Sequence, residues 1–186
     1  ATQTLLGEGN ENGRGTYDLL LHTDAGIALP ARVFMPIQGT EDTAVHLLLP
    51  GNGLAEGEAL LASHPQNDNP AHAFVVVALR GTGLTKSQKY ATGGWNHVGS
   101  DFQDIFRAYL NARSYVGMRS EEILQILALL RSNPDVGASM PIHIYAEGEA
   151  TVPALHATAL APDAFASSTL VNGIPSWEAV VGETRA

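Results

Sequence analysis

Cysteine is absent from this chain, which removes a disulfide-stapled scaffold, a thiolate zinc site and a cysteine nucleophile together. That absence leaves the compartment open, because secreted, periplasmic and cytoplasmic proteins can all do without disulfides. Basic residues are scarce as well. Ten stand against nineteen acidic ones, for a formal net charge of −9, and Lys86 and Lys89 are the only lysines. With no lysine–arginine stripe to offset that field, neither nucleic acid nor an anionic membrane surface is expected as a partner. The longest apolar runs, at 44–50, 73–79 and 123–130, are far shorter than a bilayer requires. No basic segment followed by an apolar stretch opens the chain, so no signal peptide is expected. The seven histidines include no H-E-x-x-H or similar spacing, so no metal is expected, and no motif requires a cofactor.

What remains is 45% hydrophobic and only 16% charged, with 19 glycines and 10 prolines among 186 residues. That suits one compact domain with many short turns. Residues 7–15 are polar and glycine-rich and read as a loose leader or loop, which sets residues 1–15 apart from a domain over 16–186. Thr16–Thr23 and Ile27–Pro36 read as a hairpin turning at Asp24–Gly26, with Pro30 better placed on an edge strand. Val45–Leu49 predicts a strand, 54–64 a short helix, and valine-rich Phe74–Leu79 a central parallel strand buried on both faces. After a long connection, Ser100 with Gln103 predicts a capped helix, and Ser120 predicts the cap of a second one that Asn133-Pro134 ends. Ile142–Tyr145 is a strand leading into an alanine-rich helix whose Pro153 fits the first turn, and Phe165–Val171 is one more strand. Strands alternating with helices after a hairpin predict an α/β three-layer sandwich with a mostly parallel sheet.

The run Ala78-Leu79-Arg80-Gly81-Thr82-Gly83 resembles the D-x-R-G-x-G segment that follows a central strand in bacterial α/β-hydrolases. Acetyl-xylan-esterase-like and peptidase-like members are the most similar. Ile142–Leu160 looks like that superfamily's strand, nucleophile elbow and helix, and Phe165–Trp177 like its next strand and loop. The resemblance covers roughly residues 16–180 and implies an incomplete α/β-hydrolase fold.

In this alignment the small residues of the elbow are Ala146 and Ala150, and the nucleophile position is Gly148, which has no side chain to attack with. Glycine tolerates the strained turn, so the shape can persist without the chemistry. Glu147 and Glu149 flank it, either as acid/base or ligand-orienting groups or simply as support for the turn and the helix start. The resemblance also implies an oxyanion-hole donor among the backbone N–H groups of Asn52 and Gly53, in Pro50-Gly51-Asn52-Gly53, and a structural role for Arg80. Where the superfamily has an aspartate two residues before that arginine, this chain has Ala78. Gly81–Ser87 ends in Lys-Ser like a phosphate loop, but Thr85 stands where that loop needs glycine. His97, in Gly93–His97, is the one histidine placed to line a pocket; His46 and His143 read as sheet histidines. After Val171 the sequence holds Glu178 and Glu183 but no histidine to complete a triad.

Three readings follow. The first is an α/β-hydrolase-type domain without conventional serine esterase activity, a pseudoenzyme serving within a larger enzyme or as a binding or structural module. The second is an active carboxylic-ester hydrolase with an atypical or shared site. The third is a small-molecule-binding α/β protein unrelated to hydrolases. The expected ligand is a small neutral ester or a carbohydrate-derived molecule, and another domain or chain is expected to cover the sheet edge.

Overall fold

A computed structural model describes residues 1–23, 26–36, 43–86, 102–134, 136, 139–176 and 178–179. His97, the Ser100 cap, the Asp24-Ala25 turn residues and Glu183 lie outside the described residues. Seven strands form one sheet: β1 (Thr2–Glu11), β2 (Arg14–His22), β3 (Ala28–Pro36), β4 (Val45–Leu49), β5 (Ala73–Val77), β6 (Ile142–Glu147) and β7 (Ser167–Val171). Their order is β1-β2-β3-β5-β4-β6-β7. The helices are α1 (Leu54–Ser63), α2 (Phe102–Leu110), α3 (Tyr115–Ser132) and α4 (Thr151–Leu160).

The core follows from the period of two along the central strands. Val45, Leu47 and Leu49 point with Ala73, Val75, Val77, Ile142 and Ile144 toward α3 and α4. Leu48, Phe74 and Val76 point the other way, toward Leu60 and Leu61 of α1. The sheet therefore has helices on both faces. No helix among the described residues is long and apolar enough to cross a membrane.

Four sequence expectations need correction. The glycine-rich residues 7–15 do not form a loose leader: β1 pairs antiparallel with β2 from Thr2↔His22 to Glu11↔Arg14 around Asn12-Gly13. Both turn residues have positive φ, at 51° and 77°, the conformation that tight hairpin turns demand and that Asn-Gly supplies. Pro30 is not on an edge, because β3 pairs with β2 on one side and β5 on the other. The β3–β5 ladder ends at Ala31↔Val77. Beyond it the Pro30 carbonyl accepts from Ala78 N–H. A strand residue's N–H and C=O point to the same side, so the N–H that proline lacks falls where the ladder has already stopped.

The sheet is mixed rather than mostly parallel. The pairings of β1 with β2, β2 with β3 and β3 with β5 are antiparallel, and those of β5 with β4, β4 with β6 and β6 with β7 are parallel. The apolar run at β5 is thus parallel to only one neighbour, because burial on both faces gives the same sequence signal for either direction. Finally, Ser120 does not cap α3. Ser114 does, its hydroxyl accepting from Gly117 N–H at 3.1 Å, while Ser120 is buried inside the helix and donates to the Val116 carbonyl. That shift of more than one turn carries Glu122 from a first-turn position into the interior.

Candidate functional site

The parallel strands β4 and β6 deliver their C-terminal ends side by side, and the loops that follow them touch. β6 ends at Glu147, and Gly148 turns the chain with φ 57° into a single 3-10 turn that runs on into α4. Thr151 secures the bend, its hydroxyl donating to the Gly148 carbonyl at 2.6 Å. The Pro50-Gly51 turn after β4 lies against this bend. A Cβ on Gly51 would meet the Glu147 carbonyl oxygen at 3.2 Å and the Glu149 nitrogen at 3.5 Å. Among the described residues, a Cβ on Gly148 would meet only the Gly51 Cα, at 4.0 Å. The described residues therefore leave room for a Cβ at Gly148. Replacing Gly148 with alanine is expected to cost about 1 kcal/mol, from the left-handed backbone alone; urea denaturation of the variant checks this, and a cost above about 3 kcal/mol would mean the space is not there.

Of the two backbone donors expected to be oxyanion-type, Asn52 N–H is already engaged. Asn52 N–H donates to Glu56 Oε2 at 3.0 Å, and the Asn52 side-chain amide donates to Glu56 Oε1 at 2.8 Å. A carboxylate from the first turn of α1 thus occupies the Asn52 donor. Gly53 serves as the start of α1 with φ 106°, its carbonyl accepting from Glu56 and Gly57 N–H.

Two crevices flank Gly148. One, of about 640 Å³, has walls from α2, α3, α4 and the chain after β7, including Tyr109, Tyr115, Val152, Pro153, Ile174 and Pro175. The other, of about 480 Å³, lies on the α1 side and is lined by Asn52, Glu56, Ser63, Glu147, Glu149 and Asn172. Asn172, itself at φ 54°, donates its side-chain amide to Glu147 Oε1 at 3.1 Å. Glu149 lines both crevices. Its Oε2 is buried with no hydrogen-bond partner among the described residues. Burial pushes its carboxyl up from the ordinary value, Arg119 and Lys86 pull it down, and Glu56 pushes it up again. Among the described residues no group of three or more His, Cys, Asp or Glu is arranged to hold a metal ion.

Behind the crevices lies a network that the sequence did not announce. Glu122 on α3 is 1% exposed. One of its oxygens receives the Arg80 backbone N–H at 3.1 Å and the other pairs with the Arg80 guanidinium. Arg80 also reaches the Met118 sulfur at 3.0 Å. Arg119, 4% exposed, donates to the Arg80 carbonyl at 2.9 Å and lies over the Tyr115 ring. Burial pushes the Glu122 carboxyl up, and Arg80 and Arg119 hold it down. Arg80 is thus structural, tying the loop after β5 to α3. The signal for its partner was present in Glu122 itself, but a carboxylate near a presumed helix start needs no other explanation.

Gly148, Glu147, Glu149 and Asn52 thus come together at one end of the sheet, with Gly53 just behind.

No protein-family model and no curated protein matches the chain. Among solved structures it is similar to an acetyl xylan esterase from Paenibacillus sp. R4, at 18% identity and TM-score 0.66 over 100% of this chain and 57% of that one. It is also similar to acetyl xylan esterase 1 from Thermoanaerobacterium sp., at 15% identity and TM-score 0.59 over 98% of this chain and 56% of that one. A dienelactone hydrolase from Anabaena variabilis matches at 16% identity and TM-score 0.58, over 88% of this chain and 66% of that one. The chain spans between 56 and 66% of the length of these structures. At such identities the likeness speaks for architecture alone, and on that ground the chain has an α/β-hydrolase-like fold.

Proposed function

We propose that this chain is part of an α/β-hydrolase-type domain that keeps the elbow as a shape and lacks conventional serine ester-hydrolase chemistry. In this reading it works as a binding or structural module, or as one segment of a larger enzyme. A single observation carries it: at the apex of the bend, where the described residues leave room for a Cβ, the residue is Gly148. The engagement of Asn52 N–H by Glu56 agrees with this, since an oxyanion hole needs donors free to meet developing charge. The crevices beside Gly148 then hold a small neutral ester or carbohydrate-derived molecule without reacting with it, and a further domain or chain covers the open edge at β7.

The pure protein is expected to give no turnover of p-nitrophenyl acetate above buffer, and Gly148→Ser alone is expected to restore none. No histidine is among the described residues that line either crevice, so none of them offers a new serine an imidazole base.

Glu149 supports a second reading, an active esterase with an atypical site, because its carboxyl is pushed up and one oxygen has no partner among the described residues. That reading expects wild-type turnover that falls about tenfold or more in Glu149→Gln. Such a result would sink the first.

A further inference from the structure

The end of the sheet opposite Gly148 gathers four histidines that neither crevice uses. His46, the second residue of β4, is the hub and is 5% exposed. Its ring meets His64 edge-on at 4.8 Å and stacks on His72, Phe74 and His143 at 4.9, 5.0 and 5.0 Å. His46 Nε2 and His72 Nδ1 share a hydrogen bond of 2.8 Å, and His72 Nε2 bonds the Asn69 side-chain amide. His143 bonds the Ser167 hydroxyl of β7 at 2.7 Å. His64, just past α1, also meets Phe74 and Tyr145 edge-on. One cluster thus joins the end of α1, the 64–72 loop, β4, β6 and β7. Among the described residues no group of three or more potential ligands is arranged to hold a metal ion here.

Charges of both signs lie around this cluster. Arg14, from β2, lies 4.8 Å over the Phe74 ring and donates to Asn67 and Asn69 of the same loop. Asp68 is the carboxylate that acts on Arg14. Burial and then His64, His72 and His143 hold His46 down at about 3, and no carboxylate acts on it. Burial, His72 and His143 hold His64 down likewise. Tyr145 is the other titratable group in contact.

We propose that the histidine stack is an acid-sensitive latch, which when neutral clips the 64–72 loop and the end of α1 onto the sheet and when protonated releases them. The sign follows from linkage. Opened histidines titrate near their ordinary value of 6.5, whereas His46 in the stack resists protonation down to about 3. The open form therefore binds more protons between those values, and the closed form loses stability as pH falls through that window. Like charges on rings about 5 Å apart drive the separation.

Hydrogen exchange by mass spectrometry at about pH 7.5 and about pH 5 tests this. Protection in 64–74 and 142–145 is expected to fall about tenfold or more at the lower pH, while β3 and α3 keep theirs. The double variant His64→Gln/His143→Gln, which removes two of the rings that act on His46, is expected to lose less protection at the lower pH than the wild type. If that pair fails to fold, His64→Gln alone gives the same comparison with a smaller rescue. Equal protection at both pH values, a uniform loss over the whole chain, or an unchanged loss in the variants would overturn the latch.

Discussion

Glu122→Ala is expected to destabilise the protein by about 3 to 5 kcal/mol, the cost of removing one partner from a buried ion pair. The lost side chain accepts both the backbone N–H and the guanidinium of Arg80, inside a site where Glu122 is 1% exposed. Arg119 acts on the same carboxylate and holds the Arg80 carbonyl. Truncation thus leaves positive charge in a poorly solvated place and also loosens the chain after β5. Urea unfolding, read as a change in ΔG at constant slope, measures it. Glu121→Ala on the same helix is the comparison, because Glu121 is exposed and its contacts, with Arg113 at 3.4 Å and from the Gln125 amide at 3.3 Å, lie at the surface; its expected cost is below about 1 kcal/mol. If the two variants cost the same, the buried network contributes nothing particular.

Gly53→Ala is expected to cost about 2 to 4 kcal/mol, from two causes that can be separated. Gly53 has φ 106°, and its added Cβ would lie 2.6 Å from the Gly83 Cα and 2.9 Å from the Gly83 nitrogen. Both obstacles are backbone, so neither can swing aside. The loops after β4 and β5 must move apart, and the first of them carries Gly51 and Asn52 beside Gly148. Gly13→Ala isolates the conformational part, since Gly13 has φ 77° and its Cβ would meet nothing within 4 Å. Its cost should stay near 1 kcal/mol. Thermal or urea unfolding of the pair gives the difference, and equal costs would mean that the close approach of the two loops carries no energy.

The candidate site was legible where chemistry is written in backbone constraints. Gly148 between Ala146 and Ala150, after a short strand and before an alanine-rich helix, is recognisable without coordinates because few residues tolerate φ 57° at such a bend. The hidden parts depend on which groups meet from distant positions. Nothing in Asn52 or Glu56 separately says that one silences the other's N–H. Ser120 followed by two glutamates satisfies every local rule for a helix start, yet apolar packing of α3 onto the sheet extends the helix back to Ser114. The glycines of 7–15 mask a strand because edge strands carry little of the apolar alternation on which such readings rest, and β1 is mostly exposed. His46 and His143 were placed in strands correctly, while their stacking with His64 and His72 arises from the β4–β6 register, His46↔His143, which no local pattern encodes.

The mixed order of the sheet also has a kinetic side. β1, β2 and β3 pair with their immediate neighbours in sequence, through turns of a few residues. β4 and β6, by contrast, bring together Val45 and Ile142, closing a loop of roughly a hundred residues whose entropy must be met before the contact rewards it. The meander can therefore assemble early and offer β3 as a template for β5. The bend at Gly148 follows directly on β6, so its placement beside the loop after β4 depends on this non-local contact.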